Sequence, residues 1–264
     1  MSIVEFREVA KRFGDGPFVL DRFSFTAHRG DFIALIGPSG CGKSTALRLI
    51  AGLSPVTSGS LTVEGVPPGA DAANLAFVFQ EPTLLPWLNV AKNVEIPQQL
   101  RGIPAAERAV TRQRVLDLVR LGEKSAAYPR QLSGGQKMRV SIARALALAP
   151  KLLLLDEPFG ALDEMTREHL NEELLTIREQ EAWTAFFVTH SVAEAVFLAN
   201  RVLIMAANPG RIHTEVTVDL PYPRTAETRL SRAYHEIVTD VSRILRSVQP
   251  TAVGWTERRM RETS

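Results

Sequence analysis

The sequence predicts an α/β fold, a mostly parallel sheet covered by helices, and three observations carry that prediction. Apolar strand patterns alternate with helical ones through the later part of the 264-residue chain. A glycine-rich segment, GPSGCGKST, follows a wholly apolar run and precedes a helical one. A second apolar run, KLLLLDE, ends in two adjacent carboxylates.

In chain order, β-rich runs come first, at residues 3–6, 19–25 and 32–36. The last is continuously apolar, as a strand covered on both faces must be. Residues 61–63 and 75–79 also read as strands, with Gly and Pro between them. The character then changes: about 82–150 reads as helical, inserted between strands. Pro104 opens and Gly122 closes one helical stretch with Val115, Leu118 and Val119 on its apolar face. A second helix is expected over about 136–149. Strand patterns return at 152–155, 185–188 and 202–205, separated by helical ones at 163–181 and 192–199. Near the end, Leu230, Tyr234, Ile237, Val241, Ile244, Leu245 and Val248 recur at steps of three and four, one face of a helix. That face packs on the main body or on another subunit. Arg258, Arg259 and Arg261 read as a solvated end rather than a lipid anchor.

Composition narrows the functional classes. Hydrophobic residues make up 45% and charged residues 23%, an ordinary globular mix that excludes disorder and collagen. One cysteine forms no internal bridge and suits a reducing compartment. Thirty-one basic against 29 acidic residues leave +2, too balanced for a nucleic-acid surface. No uncharged apolar run reaches the ~18 residues that span a bilayer, and the start shows no signal-peptide pattern. Work at a membrane would therefore need a protein partner there.

Residues 37–45 fit the Walker A pattern, with Gly37, Gly42, Lys43 and Ser44 in its fixed places. Gly40 and Gly42 let the backbone curl so that successive N–H groups point at phosphate oxygens. The helix that follows adds its partial positive end. Lys43 brings a full charge to the β- and γ-phosphates, and the Ser44 hydroxyl suits Mg²⁺, which takes oxygen donors. Cys41 reads as a small residue tolerated in the loop, not as a nucleophile. At the acidic strand end, Asp156 can hold Mg²⁺ directly or through water, since ligands of open parallel sheets bind at strand carboxyl ends. Glu157, one residue on, points the other way in an extended chain and can accept a proton from an attacking water. No His/Cys/Asp/Glu grouping has the spacing of a structural zinc site. His28, His169, His213 and His235 read as structural.

At 132–136 stands LSGGQ, followed by KMRVSIARALA. Here the sequence resembles the ATP-binding cassette ATPases, whose signature motif that pentapeptide is, and the resemblance covers nearly the whole chain. It implies a P-loop NTPase fold with a mostly parallel core sheet, an antiparallel β subdomain and an inserted helical subdomain over about 82–150. It implies a nucleotide-binding domain over 1–220 and a C-terminal helical extension over 221–264. Phe13 matches the aromatic that stacks on adenine, and ATP contacts are implied for Phe13, Gly37, Pro38, Ser39, Gly40, Cys41, Gly42, Lys43, Ser44 and Thr45. Gln80 matches the Q-loop glutamine, which senses the metal and the γ-phosphate. With Ser44 and Asp156 it is the implied Mg²⁺ set. Asp163 matches the D-loop and His190 the switch histidine.

Leu132, Ser133, Gly134, Gly135 and Gln136 form a second anion cradle, without a lysine, at a helix start. In the family this cradle grips the γ-phosphate of ATP held by the opposite subunit, so a homodimer is implied. Glu157 would then polarise the attacking water, with His190 positioning it and Lys43 offsetting the developing charge.

The segments LLPWLNVAKNV, HSVAEAVFLANRVLIM and NPGRIHTEVTVDLPYPR resemble the nitrate, sulfonate and taurine type of importer ATPase. That resemblance implies integral membrane permease subunits, a separate substrate-binding protein and a peripheral position at the cytoplasmic face of the membrane. Asn208 stands where many members carry a basic residue, and Phe13 replaces the commoner tyrosine. Exporter ATPases are a competing class. Cassettes acting on ribosomes or DNA are disfavoured: this chain has one cassette, residues 81–131 carry no sustained heptads, and the charge is balanced.

Overall fold

The computed structural model describes residues 2–70, 74–181 and 183–248, so the arginines expected to end the chain lie outside it. Two sheets organise the fold. The first is antiparallel, with β1 (Ser2–Arg12) between β2 (Phe18–His28) and β4 (Ser58–Val63). The second has six strands in the order β5-β6-β7-β3-β8-β9. Its strands are β3 (Phe32–Ile36), β5 (Leu75–Val78), β6 (Leu152–Asp156), β7 (Thr184–Val188), β8 (Arg201–Ala206) and β9 (Arg211–Thr217). All pairs are parallel except β8 with β9.

The unbroken apolar run of β3 has a direct physical reason. Phe32, Ala34 and Ile36 face a core built with the helices, whereas Ile33 and Leu35 face a second core shared with Ile3, Phe6 and Phe23 of the antiparallel sheet. Successive side chains alternate across a strand, and here both sides are dry.

The helices are α1 (Lys43–Ile50), α2 (Val90–Leu100), α3 (Ala105–Leu118), α4 (Gly134–Leu146), α5 (Glu164–Gln180), α6 (Val192–Leu198), α7 (Ala226–Leu230) and α8 (Arg232–Val248). α2, α3 and α4 pack on one another between β5 and β6, the place expected for an inserted helical block. Four details differ from expectation. α3 ends at Leu118 because Arg120 takes the left-handed conformation (φ 55°), and Gly122 instead opens a short 3₁₀ turn. α4 starts two residues before 136, because Ser133 caps it. β9 was not expected: its residues alternate between exposed and half-buried, too weak a pattern to register. Leu230 is exposed and lies in α7, outside the apolar face of α8. The remainder of that face packs on the body: Tyr234 and Val241 are buried, and Tyr234 Oη donates to Ala193 O of α6 at 3.0 Å.

Candidate functional site

The parallel sheet brings the carboxyl ends of β6, β7 and β3 side by side, with β5 next to β6. The segments leaving those ends carry the site. After β3 the chain turns through Gly40 (φ 78°) and Gly42 (φ 94°), both in the left-handed region that favours glycine. A Cβ at Gly42 would also come within 2.6 Å of Leu20 Cδ2. α1 then starts with no side-chain cap and no acidic residue in its first turn, so its free N–H groups and positive end remain available. The helices α2, α4, α5 and α6 are each capped by a side chain instead.

Lys43 is buried, and its Nζ donates to Gly37 O at 3.0 Å and Pro38 O at 3.1 Å. It forms no ion pair with a carboxylate among the described residues. A buried cation without a counter-charge is costly, and phosphate oxygens are the matching partner. Cys41 is fully buried beneath the loop, its Sγ 3.8 Å from Lys43 Nζ, and burial pushes its thiol up, which suits an inert packing role.

Ser44 Oγ donates to Asp156 Oδ1 at 2.8 Å, bringing α1 and the end of β6 together. Glu157 Oε1 lies 2.7 Å from His190 Nε2. Phe13, Val19, Ser39, Gly40, Gly42, Lys43, Ser44, Thr45, Gln80, Glu157 and His190 line one open cleft of about 480 Å³. That volume lies within the usual range for small-molecule sites, ~300–1,000 Å³. Gly37, Pro38 and Cys41 are not on its wall; the first two act from below, through the carbonyls that hold Lys43.

Glu157 reaches the cleft by a different route from the one expected. It is not an extended residue pointing away from Asp156: β6 stops at Asp156, and Glu157 has φ 50°. A glutamate there is strained, and its amide is held by Val188 O at 3.0 Å.

LSGGQ lies elsewhere. Leu132 is buried, whereas Ser133 and Gly134 are exposed and absent from the cleft wall. Ser133 Oγ accepts from Gln136 N at 3.3 Å, and Ser133 N donates to Gln136 Oε1 at 3.1 Å, a reciprocal cap. Gly135 has no room for more: a Cβ would meet Thr166 Cγ2 at 3.0 Å. Asp163 caps α5 by accepting from Thr166 N at 3.0 Å, and that amide lowers its carboxyl. A single chain thus gathers Phe13, Lys43, Ser44, Gln80, Glu157 and His190 in one place and leaves the signature segment apart from them.

Two supporting residues escaped the sequence reading. Val19 forms part of the cleft wall. Gly210 backs the phosphate loop: its N donates to Val19 O at 2.9 Å, and a Cβ on it would sit 2.1 Å from Cys41 O. The Pro-Gly pair before β9 was the only hint, and it reads first as a turn.

The family model for ABC transporters matches residues 20–160. A putative ATP-binding protein of Brucella abortus is 43% identical over 247 residues, covering 94% of this chain and 95% of the relative. The chain belongs to the ABC transporter family. It is an ATP-binding-cassette ATPase. An aliphatic sulfonates import ATP-binding protein of Bacillus cereus is 44% identical over 219 residues, 83% of this chain and 85% of that one. A dimeric ATP-binding cassette in a post-hydrolysis state, bound to ADP and Pi, superposes with a TM-score of 0.73 at 29% identity, covering 83% of this chain and all of that one. A component of an ABC transporter complex from Clostridium perfringens shares the fold, with a TM-score of 0.77 at 23% identity and coverage of 94% and 99%.

The cassette's residues fit its nucleotide. The uncapped start of α1 and the unpaired Lys43 suit a triphosphate. Ser44 and Asp156 offer hard oxygen donors a hydrogen bond apart, the chemistry Mg²⁺ prefers. Among the described residues no helix is long and apolar enough to cross a membrane.

Proposed function

We propose that this chain is the ATP-hydrolysing subunit of an importer for a small nitrate-, sulfonate- or taurine-like solute. The observation that carries the hydrolytic part is the single cleft holding Lys43, Ser44, Glu157 and His190. The sulfonates import relative, aligned along most of both chains, supports the import part. On this reading Lys43 and the loop amides bind the β- and γ-phosphates, and Phe13, exposed at the cleft mouth, stacks on the base. Ser44, Asp156 and Gln80 would hold Mg²⁺, which when bound supplies charge to offset that on the phosphate oxygens. Glu157 accepts a proton from the attacking water, and His190, 2.7 Å from it, orients water and γ-phosphate.

The exposed Ser133 and Gly134 serve a second copy of the chain, whose Lys43 holds the triphosphate they cap. Residues 1–220 form the nucleotide-binding domain and 221–264 a C-terminal extension. The apolar segment after Gln80, with Trp87 69% exposed and Leu84 packed on the core, is the surface for a separate membrane permease. A substrate-binding protein delivers the solute to that permease, and the ATPase stays peripheral on the cytoplasmic face.

Glu157→Gln tests the core of this reading. ATP affinity is expected to hold while turnover falls by about 10²–10⁴-fold, and an ATP-bound dimer accumulates in size-exclusion chromatography. Parental turnover in that variant would remove Glu157 from the chemistry.

A further inference from the structure

Glu157 and His190 meet although they sit on turns far apart in sequence, and a buried polar chain joins those turns from behind. Thr189, immediately before His190, is buried. Its hydroxyl donates to Glu194 Oε2 and accepts from Ser191 N at 3.0 Å, so the backbone on both sides of His190 is held. Glu194 is itself fixed, since its N donates to Ser191 Oγ at 3.2 Å.

The other oxygen of Glu194 turns toward α5. Oε1 accepts from Asn171 Nδ2 at 3.5 Å and lies 4.0 Å from Arg167 Nε. Arg167 continues the chain: its Nε donates to Phe159 O at 3.3 Å and its Nη2 to Leu162 O at 2.7 Å. Those carbonyls belong to the turn that follows Glu157 and precedes the capping Asp163.

We propose that Glu194 and Arg167 are positioning residues for hydrolysis, which together set the separation of the turns bearing Glu157 and His190. The inference rests on the reading of that pair as hydrolytic. The donor pattern explains why a carboxylate is kept in a buried place. Thr189 presents a donor to one oxygen and Asn171 a donor to the other, and the Arg167 guanidinium stands beside the second as a counter-charge. A carboxylate, which only accepts, answers both donors and the charge at once. Glu194→Gln removes the charge that faces Arg167 and puts a donor where one of the two accepting oxygens stood, so the link from Thr189 to α5 must rearrange.

The test uses the full chain and four variants: Glu194→Gln, Arg167→Met, the two combined, and Thr189→Val. ATP turnover is measured beside the Kd of a fluorescent ATP analogue. Glu194→Gln is expected to lower kcat by about tenfold and to leave Kd within about twofold, since the phosphate loop is untouched and only the reacting geometry shifts. The double variant is expected to be no slower than the slower single one, because both cut the same link. Thr189→Val, which removes the hydroxyl at similar volume, gives the same split and carries the test if Glu194→Gln does not fold. Parental kcat in Glu194→Gln or Thr189→Val, a parallel loss of kcat and affinity, or additive losses in the double variant overturns the inference. If Glu157→Gln is inactive and Glu194→Gln is not, the positioning inference alone fails. If Glu157→Gln turns over normally, the hydrolytic reading fails and takes this inference with it.

Discussion

Two helix starts in this chain offer the same partial charge and are finished in opposite ways. α1 follows a left-handed Gly42 and has no side-chain cap, so its first amides point into a cleft walled by Gln80, Glu157 and His190 of the same chain. α4 follows Ser133, which caps it reciprocally with Gln136, and Ser133 and Gly134 are exposed at the surface. The cap satisfies one of the orphan amides of α4 without a ligand. Because Ser133 Oγ accepts from Gln136 N, its own hydroxyl proton is left to donate outward. The uncapped start needs a partner and sits where the chain can build walls around one. On the proposed reading this asymmetry separates a half-site that binds nucleotide by itself from one that binds only nucleotide already held by another copy.

Opposed substitutions break or sharpen that comparison. Lys43→Ala is expected to reduce ATP affinity of the isolated chain by roughly a hundredfold or more, since a charge-assisted contact to phosphate is lost. Ser133→Ala is expected to leave that affinity within about twofold, to abolish the ATP-dependent dimer, and to lower stability by about 1 kcal/mol through the lost cap. Nucleotide titration, size-exclusion chromatography and denaturant unfolding read the three quantities. Equal losses of affinity in the two variants would erase the distinction between the half-sites.

A smaller effect is expected from Gly210→Ala, which reaches the first half-site from outside it. The added methyl would stand 2.1 Å from Cys41 O and 2.6 Å from Val19 O, so the phosphate loop or β2 must move. Overpacking of this kind costs about 1–3 kcal/mol, and a displaced loop is expected to weaken ATP binding as well. A variant with parental affinity and unfolding midpoint would show that Gly210 does not support the loop.

How much of this was legible in the sequence depends on the range of each interaction. The phosphate loop could be read because its glycines, lysine and serine are consecutive and each has a local reason. β3 and β6 could be read because both faces of each are buried, which leaves an unmistakable apolar run. β9 and the end of α3 could not. One depends on pairing with β8 at the sheet edge, and the other on Arg120 adopting a conformation usually left to glycine. Glu157 lines the cleft through a left-handed backbone and not as an extended strand residue, because a strand ending one residue early is invisible in KLLLLDE. Gly210 and the Thr189–Glu194–Arg167 chain are long-range constructions, and no local spacing announces them.

The smallest effect sharpens the contrast by moving to the opposite end of the strand that bears the phosphate loop. Asp31 immediately precedes β3 and accepts from His28 N at 2.9 Å and Arg201 Nη1 at 2.6 Å. Burial alone would raise its carboxyl, but the His28 amide, Arg201 and Asn200 override it and hold the group below its ordinary value. A lowered carboxyl contributes stability that is present above its unfolded value and lost as pH falls through the folded one. Asp31→Asn is therefore expected to cost about 1–2 kcal/mol at neutral pH. The gap to the parent should start to narrow as pH falls below the ordinary carboxylate value, about 4, and close only below the lowered folded value, where the parent too is neutral at this position. ATP affinity should not change, because the substitution loosens the base of β3 and leaves the start of α1 intact. Urea unfolding across pH, paired with nucleotide titration, checks both halves: a change in affinity would mean that the two ends of β3 are coupled and that the phosphate loop is less self-contained than its local geometry implies.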